Sequence, residues 1–483
     1  MALTTETRRT PATLRDAWIA LVGLSAVFLF EMLDNSVLNV ALPTIGRDLH
    51  ASTTGLQWVT GVYSVVFGGL MLLFGAVADR IGRRRVMLVG LVLLAAASLA
   101  TLLVSTPGEL IAVRAAMGVA AAMTTPGSIA LTFRLFDDDG VRVRAISLIS
   151  MVGIVGLAVG PLVGGLVLAV APWQVLLVAN APVAALAFAG ILIGVPKDDV
   201  AGLHPDPVDA VGGILGTVAI VGALLVPTLF VGAGAAAWQP WAVLALALAA
   251  AALFVWRART ARHPLIDLRL VARPLVASGL AYKLATGLAL AGMGYLVSLQ
   301  LQLDYGWPPA LAALGMLPQV AVLIGLSPFV ERIVKRLGFD RTAWLSAASV
   351  VLGLAVYGLL NGAGYVWVAV SLMLVAAGIR VNGVIAGNNV LRGLPENRTS
   401  IGAALVDTAQ EVAAGAGIAV TGTILAAVFS GSIAAGGWDR QQADEFHLAV
   451  TVAALALAAA AGALVLWAFL RGRRSGEAAP AAE

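Results

Sequence analysis

Apolar residues run through this chain in fourteen long stretches, at approximately 17–40, 56–78, 86–104, 109–132, 145–171, 175–195, 211–232, 238–256, 275–303, 311–330, 343–360, 366–391, 401–429 and 446–470. A stretch of about 20 residues is long enough to cross roughly 30 Å of hydrocarbon as a helix. The stretches are continuously apolar, whereas the strands of a membrane barrel are short and alternate in polarity. The pattern predicts an all-α integral membrane protein with fourteen transmembrane helices. Most gaps are short. The two longer ones, Pro196 to Asp209 and Arg257 to Arg273, are polar, contain proline, and bracket a helix pair at 211–256 that is almost free of charge. The expected division is a six-helix bundle over 17–195, two extra helices over 205–257, a second six-helix bundle over 270–470, and tails at 1–16 and 471–483. Two pseudo-symmetric six-helix halves are a common way to build a transporter.

Charge fixes the orientation. Of the 30 Lys and Arg residues, 25 fall in alternate gaps, among them Arg8 to Arg15, Arg80 to Arg85, Arg257 to Arg273 and Arg332 to Arg341. Short loops rich in base stay cytoplasmic, so both termini are expected in the cytoplasm. A composition 60% hydrophobic and 12% charged carries about half the charge of a soluble chain. The net charge of +4 is a cytoplasmic collar, not a surface for nucleic acid. There is no cysteine, hence no disulfide and no thiolate metal site. His50, His204, His263 and His447 are too scattered in sequence for a metal cluster. No catalytic cluster or phosphate-binding loop is present, so neither an enzyme nor an internal ATP-driven pump is expected. The first span carries Glu31 and Asp34 and lacks a cleavage site, unlike a signal peptide.

Three segments carry specific chemistry. The loop after the second span reads Gly75-Ala-Val-Ala-Asp79-Arg80-Ile-Gly82-Arg83-Arg84. Gly75 allows two helices to approach, Asp79 is placed to cap a helix N-terminus and pair with a base, and Gly82 permits a tight turn. Glu331-Arg332 and Arg336-x-Gly338 echo this loop in the second half. The fifth span reads Gly153-x-x-Gly156-x-x-x-Gly160-Pro161-x-x-Gly164-Gly165. Small residues at this spacing permit close backbone packing, and Pro161 removes a backbone donor. The first span contains Leu33-Asp34-Asn35-Ser36-Val37-Leu38-Asn39-Val40-Ala41-Leu42-Pro43.

These segments resemble the signature loop of the major facilitator superfamily (G-x-L-A-D-R-x-G-R-K), the antiporter motif of its drug exporters (G-x-x-x-G-P-x-x-G-G), and the L-D-x-T-I-V-N-V-A-L-P segment of its fourteen-span drug:proton antiporters. Val77 and Arg84 replace the usual leucine and lysine, and Ser36 the usual threonine. Trp173 with Asn180 and Pro182, and Arg114 with Gly118, match further family segments. The resemblance covers the whole chain and is most specific over the first 200 residues. It implies a proton-coupled exporter of small, lipophilic or cationic compounds, working by alternating access in a bacterial plasma membrane. Such a protein uses the proton gradient and no cofactor, binds a small-molecule substrate and protons, and is expected to be a monomer in the lipid bilayer. A nutrient symporter and an exporter dedicated to one endogenous metabolite or lipid are its rivals, and the fifth-span motif argues against the first.

Charges inside spans complete the candidate site. An Asp, Lys or Arg at a helix centre costs roughly 2.5–3.5 kcal/mol on insertion scales, so these residues are expected in pairs or against a wet cavity. Glu31 and Asp34 share a face of the first span; Asp407 and Glu411 share a face of the thirteenth. Burial and a neighbouring base together tune a carboxyl toward cellular pH. Asp34 is the expected proton site, Glu31 a substrate or second proton site, and Arg114 the cation that the family motif places beside them. The family segment at Asp407-Thr-Ala-Gln410-Glu411 reads close to N-T-x-R-Q-L-G, so two acids replace neutral positions. Arg380 either neutralises one of these acids or joins them in reading a charged substrate; the sequence leaves both open. Lys283 lies in the ninth span. Tyr63 and Tyr295 fit a drug cavity or an aromatic belt.

Overall fold

The computed structural model describes residues 13–198, 208–394, 399–431, 433 and 438–476, all helix and short connections without a strand among them. The ends of both expected tails, residues 199–207 of the long linker, and Asn397 lie outside the described residues. The helices are α1 (Trp18–Asp48), α2 (Thr53–Ile81), α3 (Arg83–Leu103), α4 (Pro107–Leu135), α5 (Gly140–Leu168), α6 (Gln174–Gly194), α7 (Ala210–Ala233) and α8 (Trp238–Thr260). They continue with α9 (Pro274–Asp304), α10 (Pro309–Leu337), α11 (Arg341–Ala363), α12 (Tyr365–Gly393), α13 (Ala404–Val428) and α14 (Arg440–Arg471). Thirteen are long and apolar enough to cross a bilayer, and α1 makes the fourteenth as two segments, Trp18–Asp34 and Ser36–Asp48, bent by 41°.

That bend has a local cause. The Ser36 hydroxyl donates back to the carbonyls of Met32 and Leu33, at 3.0 Å each, a pattern that bends helices. Two turns on, Pro43 has no N–H to give the Asn39 carbonyl. Ser298 of α9 donates to that carbonyl instead, at 2.5 Å. Helix starts follow equally local chemistry. Ser52 caps α2 through the Gly55 amide at 3.1 Å. At α4, Thr106 and Glu109 form a reciprocal capping box ahead of Pro107 at the first helical position.

Helices α1–α6 pack among themselves, as do α9–α14, while α8 rests on α7 and α7 lies along both α2 and α13. Glycine sets the closest approaches. On α5, a Cβ at Gly153, Gly156, Gly160 or Gly164 would meet Met32 and Phe28, Leu29, Ser36 or Val37, all on α1. The motif therefore seats the helix that carries Glu31 and Asp34. Gly165 turns the other way, and a Cβ there would stand 2.6 Å from the Ala310 Cα of α10.

Contacts between the halves are graded along the membrane normal. At the face away from the arginine-rich loops, Ser298 and Gln302 of α9 hold the Asn39 and Val40 carbonyls of α1, the latter at 3.0 Å. Gln57 of α2 donates to the Ala419 carbonyl of α13 at 3.1 Å and to Thr228 of α7 at 3.0 Å. At mid-depth Gly68 of α2 abuts Glu411 and Val412 of α13. Nearer the arginine-rich face, Gly75 points the same way as Gly68, two turns later, and a Cβ there would meet nothing within 4 Å among the described residues.

Two span limits depart from expectation. Helix α1 continues to Asp48, eight residues past the apolar stretch, because its last turns stay buried against the bundle. Helix α10 is broken into Pro309–Gly315, Leu317–Gly325 and Val330–Leu337 with a 3₁₀ turn at Ser327–Phe329. Pro318 and Pro328 remove the donors that a continuous helix needs.

Candidate functional site

Asp34 sits just before the bend of α1 and faces α4 and α6. Its Oδ2 accepts from Nη1 of Arg114 at 2.6 Å, with both side chains fully buried. Its Oδ1 accepts from Nδ2 of Asn180 at 2.9 Å. Arg114 further donates from Nε to the Val59 carbonyl at 3.4 Å and lies over the Tyr63 ring, 4.6 Å from its centroid. A charge pair this deep is held only because both oxygens of the carboxylate and most of the guanidinium are engaged. Asp34 and Arg114 are thus in contact, with Tyr63 against the guanidinium. Asn180 supplies the third arm, 146 residues from Asp34.

A second group adjoins the first. Glu31, one turn before Asp34, is in electrostatic contact with Glu411 and Asp407 of α13, and Thr125 of α4 stands beside it. Lys283 of α9 acts on both Asp407 and Glu411. Ser64 of α2 stands beside Glu411. Glu31 and Glu411 are 6% exposed, and each has a buried Oε2 without a hydrogen-bond partner among the described residues. So does the Tyr63 hydroxyl, which feels Asp34, Glu31, Arg114 and Glu411. Three carboxyls, one ammonium and a phenol from α1, α2, α9 and α13 therefore meet between the halves with bonding capacity unspent.

Two expected members stand apart. Tyr295 is fully buried in α9 with its hydroxyl unbonded, but it has no electrostatic contact with the acids. Arg380 does not neutralise Asp407 or Glu411. Its Nε donates to the Ser327 hydroxyl of α10 at 2.8 Å, and the cation among the acids is Lys283. The sequence shows Lys283 inside a span, and only the packing of α9 on α13 assigns it to that cluster.

At the signature loop, Arg83 pairs with Asp79 one turn away at 2.7 Å. Gly82 adopts φ +112, a region that favours glycine. Arg80 is exposed. The N-terminus of α3 is capped by Asp198, which accepts from the Arg84 and Arg85 amides at 3.3 Å each, while Arg84 reaches the Leu192 carbonyl at 2.8 Å. Sequence reasoning missed Asp198. Its signal is an acid just past α6, but nothing local to it names a helix start 114 residues earlier.

Residues 24–418 match the Major Facilitator Superfamily. Among curated relatives, the methyl viologen resistance protein SmvA of Salmonella typhimurium is 29% identical over 86% of this chain and 84% of its own. The multidrug efflux pump LfrA of Mycolicibacterium smegmatis is 29% identical over 89% and 84%. A bacterial homolog of the human lysosomal transporter Spinster, solved in an inward-facing, unoccupied conformation, shares the fold with a TM-score of 0.69 at 14% identity, over 96% of this chain and 99% of that one. Fourteen apolar helices, the signature loop and the family match along most of the chain lead to one conclusion: this is a multi-pass membrane protein of the Major Facilitator Superfamily.

Proposed function

We propose that this protein is a proton-coupled antiporter that exports small lipophilic or cationic compounds from a bacterial cell. The observation that carries this reading is the buried Asp34–Arg114–Asn180 triad of the N-terminal half beside the Glu31, Asp407, Glu411 and Lys283 group, which joins the two halves. SmvA and LfrA, named for methyl viologen resistance and multidrug efflux, support the direction of transport. The proton gradient supplies the energy without a cofactor, and a monomer suffices.

With the arginine-rich face and both termini in the cytoplasm, contacts between the halves close the outer side, and the open notch at Gly75 lies on the inner side. That is the inward-facing form. Residues 17–195 and 270–470 act as the rocking halves, and 205–257 as a pair of helices riding on the α2–α13 seam. Asp34 in this form is ionised and held by Arg114. Proton uptake on the outer side removes the negative charge, frees Arg114, and lets α1 shift against α4. Glu31 and Glu411 exchange a cationic group of the substrate for protons, so substrate and protons exclude each other. Closing the inner side seats α13 in the Gly75 notch, where Asp79, Arg80, Gly82, Arg83 and Arg84 latch it. Gly156, Gly160, Pro161, Gly164 and Gly165 keep α1 on α5 throughout.

Dye efflux in everted vesicles with an imposed proton gradient tests this reading. Wild type moves ethidium-like cations, Asp34→Asn inserts normally but stops, and Glu411→Gln slows. Undiminished efflux by Asp34→Asn refutes the coupling. One observation favours a second reading, an exporter dedicated to a single endogenous metabolite: the lone cation Arg380, which a broad cation exporter does not need.

A further inference from the structure

Arg380 lies at the centre of α12, fifteen residues after Tyr365 and thirteen before Gly393. At 1.5 Å per residue that is about 20 Å from either end, more than an arginine side chain covers by snorkelling. No carboxylate of a described residue lies within 4 Å of it, and its hydrogen bond runs from Nε to Ser327. Asp407 and Glu411 feel Lys283 and not Arg380. Arg380 is half-buried, so it is not sealed in a core.

The rest of its helix face shows what it looks into. One and two turns on, Gly383 and Gly387 have nothing within 4 Å of where a Cβ would stand among the described residues, and Asn388 beside them is exposed. The opposite face of α12 is packed, with Asn382 on the Tyr282 carbonyl of α9 and Gly378 against Ser346 of α11. The face of Arg380 also exposes Met373, Val384 and Leu391, and Arg380 is its charged position. An arginine at this depth belongs on a wet wall. Acids thus stand on α1 and α13, and a guanidinium with no carboxylate of a described residue within 4 Å stands on α12.

Resting on the antiporter reading, we infer that Arg380, steadied by Ser327 and fronted by Gly383 and Gly387, is an anion-recognising subsite, and that the preferred substrates are amphipathic zwitterions. The cationic centre of such a substrate meets Glu31 and Glu411, and its carboxylate or phenolate meets the outer nitrogens of Arg380. The hydrogen bond at Nε fixes the plane of the guanidinium and leaves its fork for a planar, two-oxygen group.

A matched dye pair reads this directly. Rhodamine 110 carries a free carboxyl, and rhodamine 123 is its methyl ester, a simple cation of almost the same shape. In everted vesicles with a proton gradient, wild type is expected to export both, rhodamine 110 with the lower KM. Arg380→Gln should raise the KM for rhodamine 110 about tenfold or more, the weight of one charge-assisted pair, and leave rhodamine 123 within about twofold. Arg380→Lys should fall between, and Ser327→Ala should lower the preference without abolishing it. If wild type moves rhodamine 123 but not rhodamine 110, or if Arg380→Gln affects both dyes equally in correctly inserted protein, this inference falls and antiport stands. If wild type moves neither dye, the antiporter reading and this inference fall together.

Discussion

Removing the buried charge pair of the N-terminal half should reveal a large coupling energy. Arg114→Gln leaves Asp34 fully buried with Asn180 as its remaining partner, and an orphaned buried charge costs about 3–5 kcal/mol. Asp34→Asn leaves Arg114 the Val59 carbonyl at 3.4 Å and the Tyr63 ring at 4.6 Å. A desolvated cation–π contact recovers about 2 kcal/mol, so this single should fall at the lower end of the same range. Independent sites would make the double variant cost the sum, roughly 6–10 kcal/mol. In Asp34→Asn/Arg114→Gln, however, no charge remains and two amides can face each other, while Asn180 keeps its acceptor. The double should therefore lie within about 2 kcal/mol of wild type, well above the additive error of about 0.5 kcal/mol. Reversible unfolding in mixed dodecylmaltoside–SDS micelles gives all three values. A double variant that costs as much as the two singles together would refute the interaction and with it the proton switch.

Other perturbations separate packing from gating. Gly160→Ala drives a methyl into the Ser36 hydroxyl and should cost about 1–3 kcal/mol, whereas Gly164→Ala meets Val37 at 3.4 Å, an ordinary contact, and should cost less in the same unfolding assay. Gly75→Leu enters open space, so melting temperature should hold while efflux stops, and spin-label distances between α2 and α13 should stay at their inward-facing values in every condition. Gln57→Leu removes bonds to Thr228, Ala419 and Thr423; at about 0.6 kcal/mol each in a membrane interior, the loss is about 2 kcal/mol and should raise the outward-facing fraction in those distance measurements.

How much the sequence discloses depends on the kind of contact. Apolar length and the alternation of basic loops locate all fourteen helices, because the bilayer imposes both rules on every segment. The spacing of Glu31 with Asp34 and of Asp407 with Glu411 assigns each pair to one helix face, because spacing of three or four is a property of one helix. What joins helices is far less legible. The helices are apolar on all sides, so no polar face marks which way each one turns. Asn180 on Asp34, Lys283 among the α13 acids, and Asp198 on the start of α3 therefore appear only once the bundle is assembled. The break in α10 is the reverse case: Pro318 and Pro328 lie in plain view, but a continuous apolar run conceals them.

The closure at the face away from the arginine-rich loops has an electrical consequence. It rests on Ser298 and Gln302 against two backbone carbonyls of α1, on Gln57 against α13, and on Gly165 against Ala310. Every one of these groups is uncharged, and the carbonyl that anchors Ser298 is one that Pro43 cannot use. Opening this side therefore moves no fixed charge of the gate through the membrane field, which would otherwise act with about 2.3 kcal/mol per charge for each 100 mV. On the antiporter reading, the membrane potential then works on the cycle through the central charged groups and the cargo, and not through this closure.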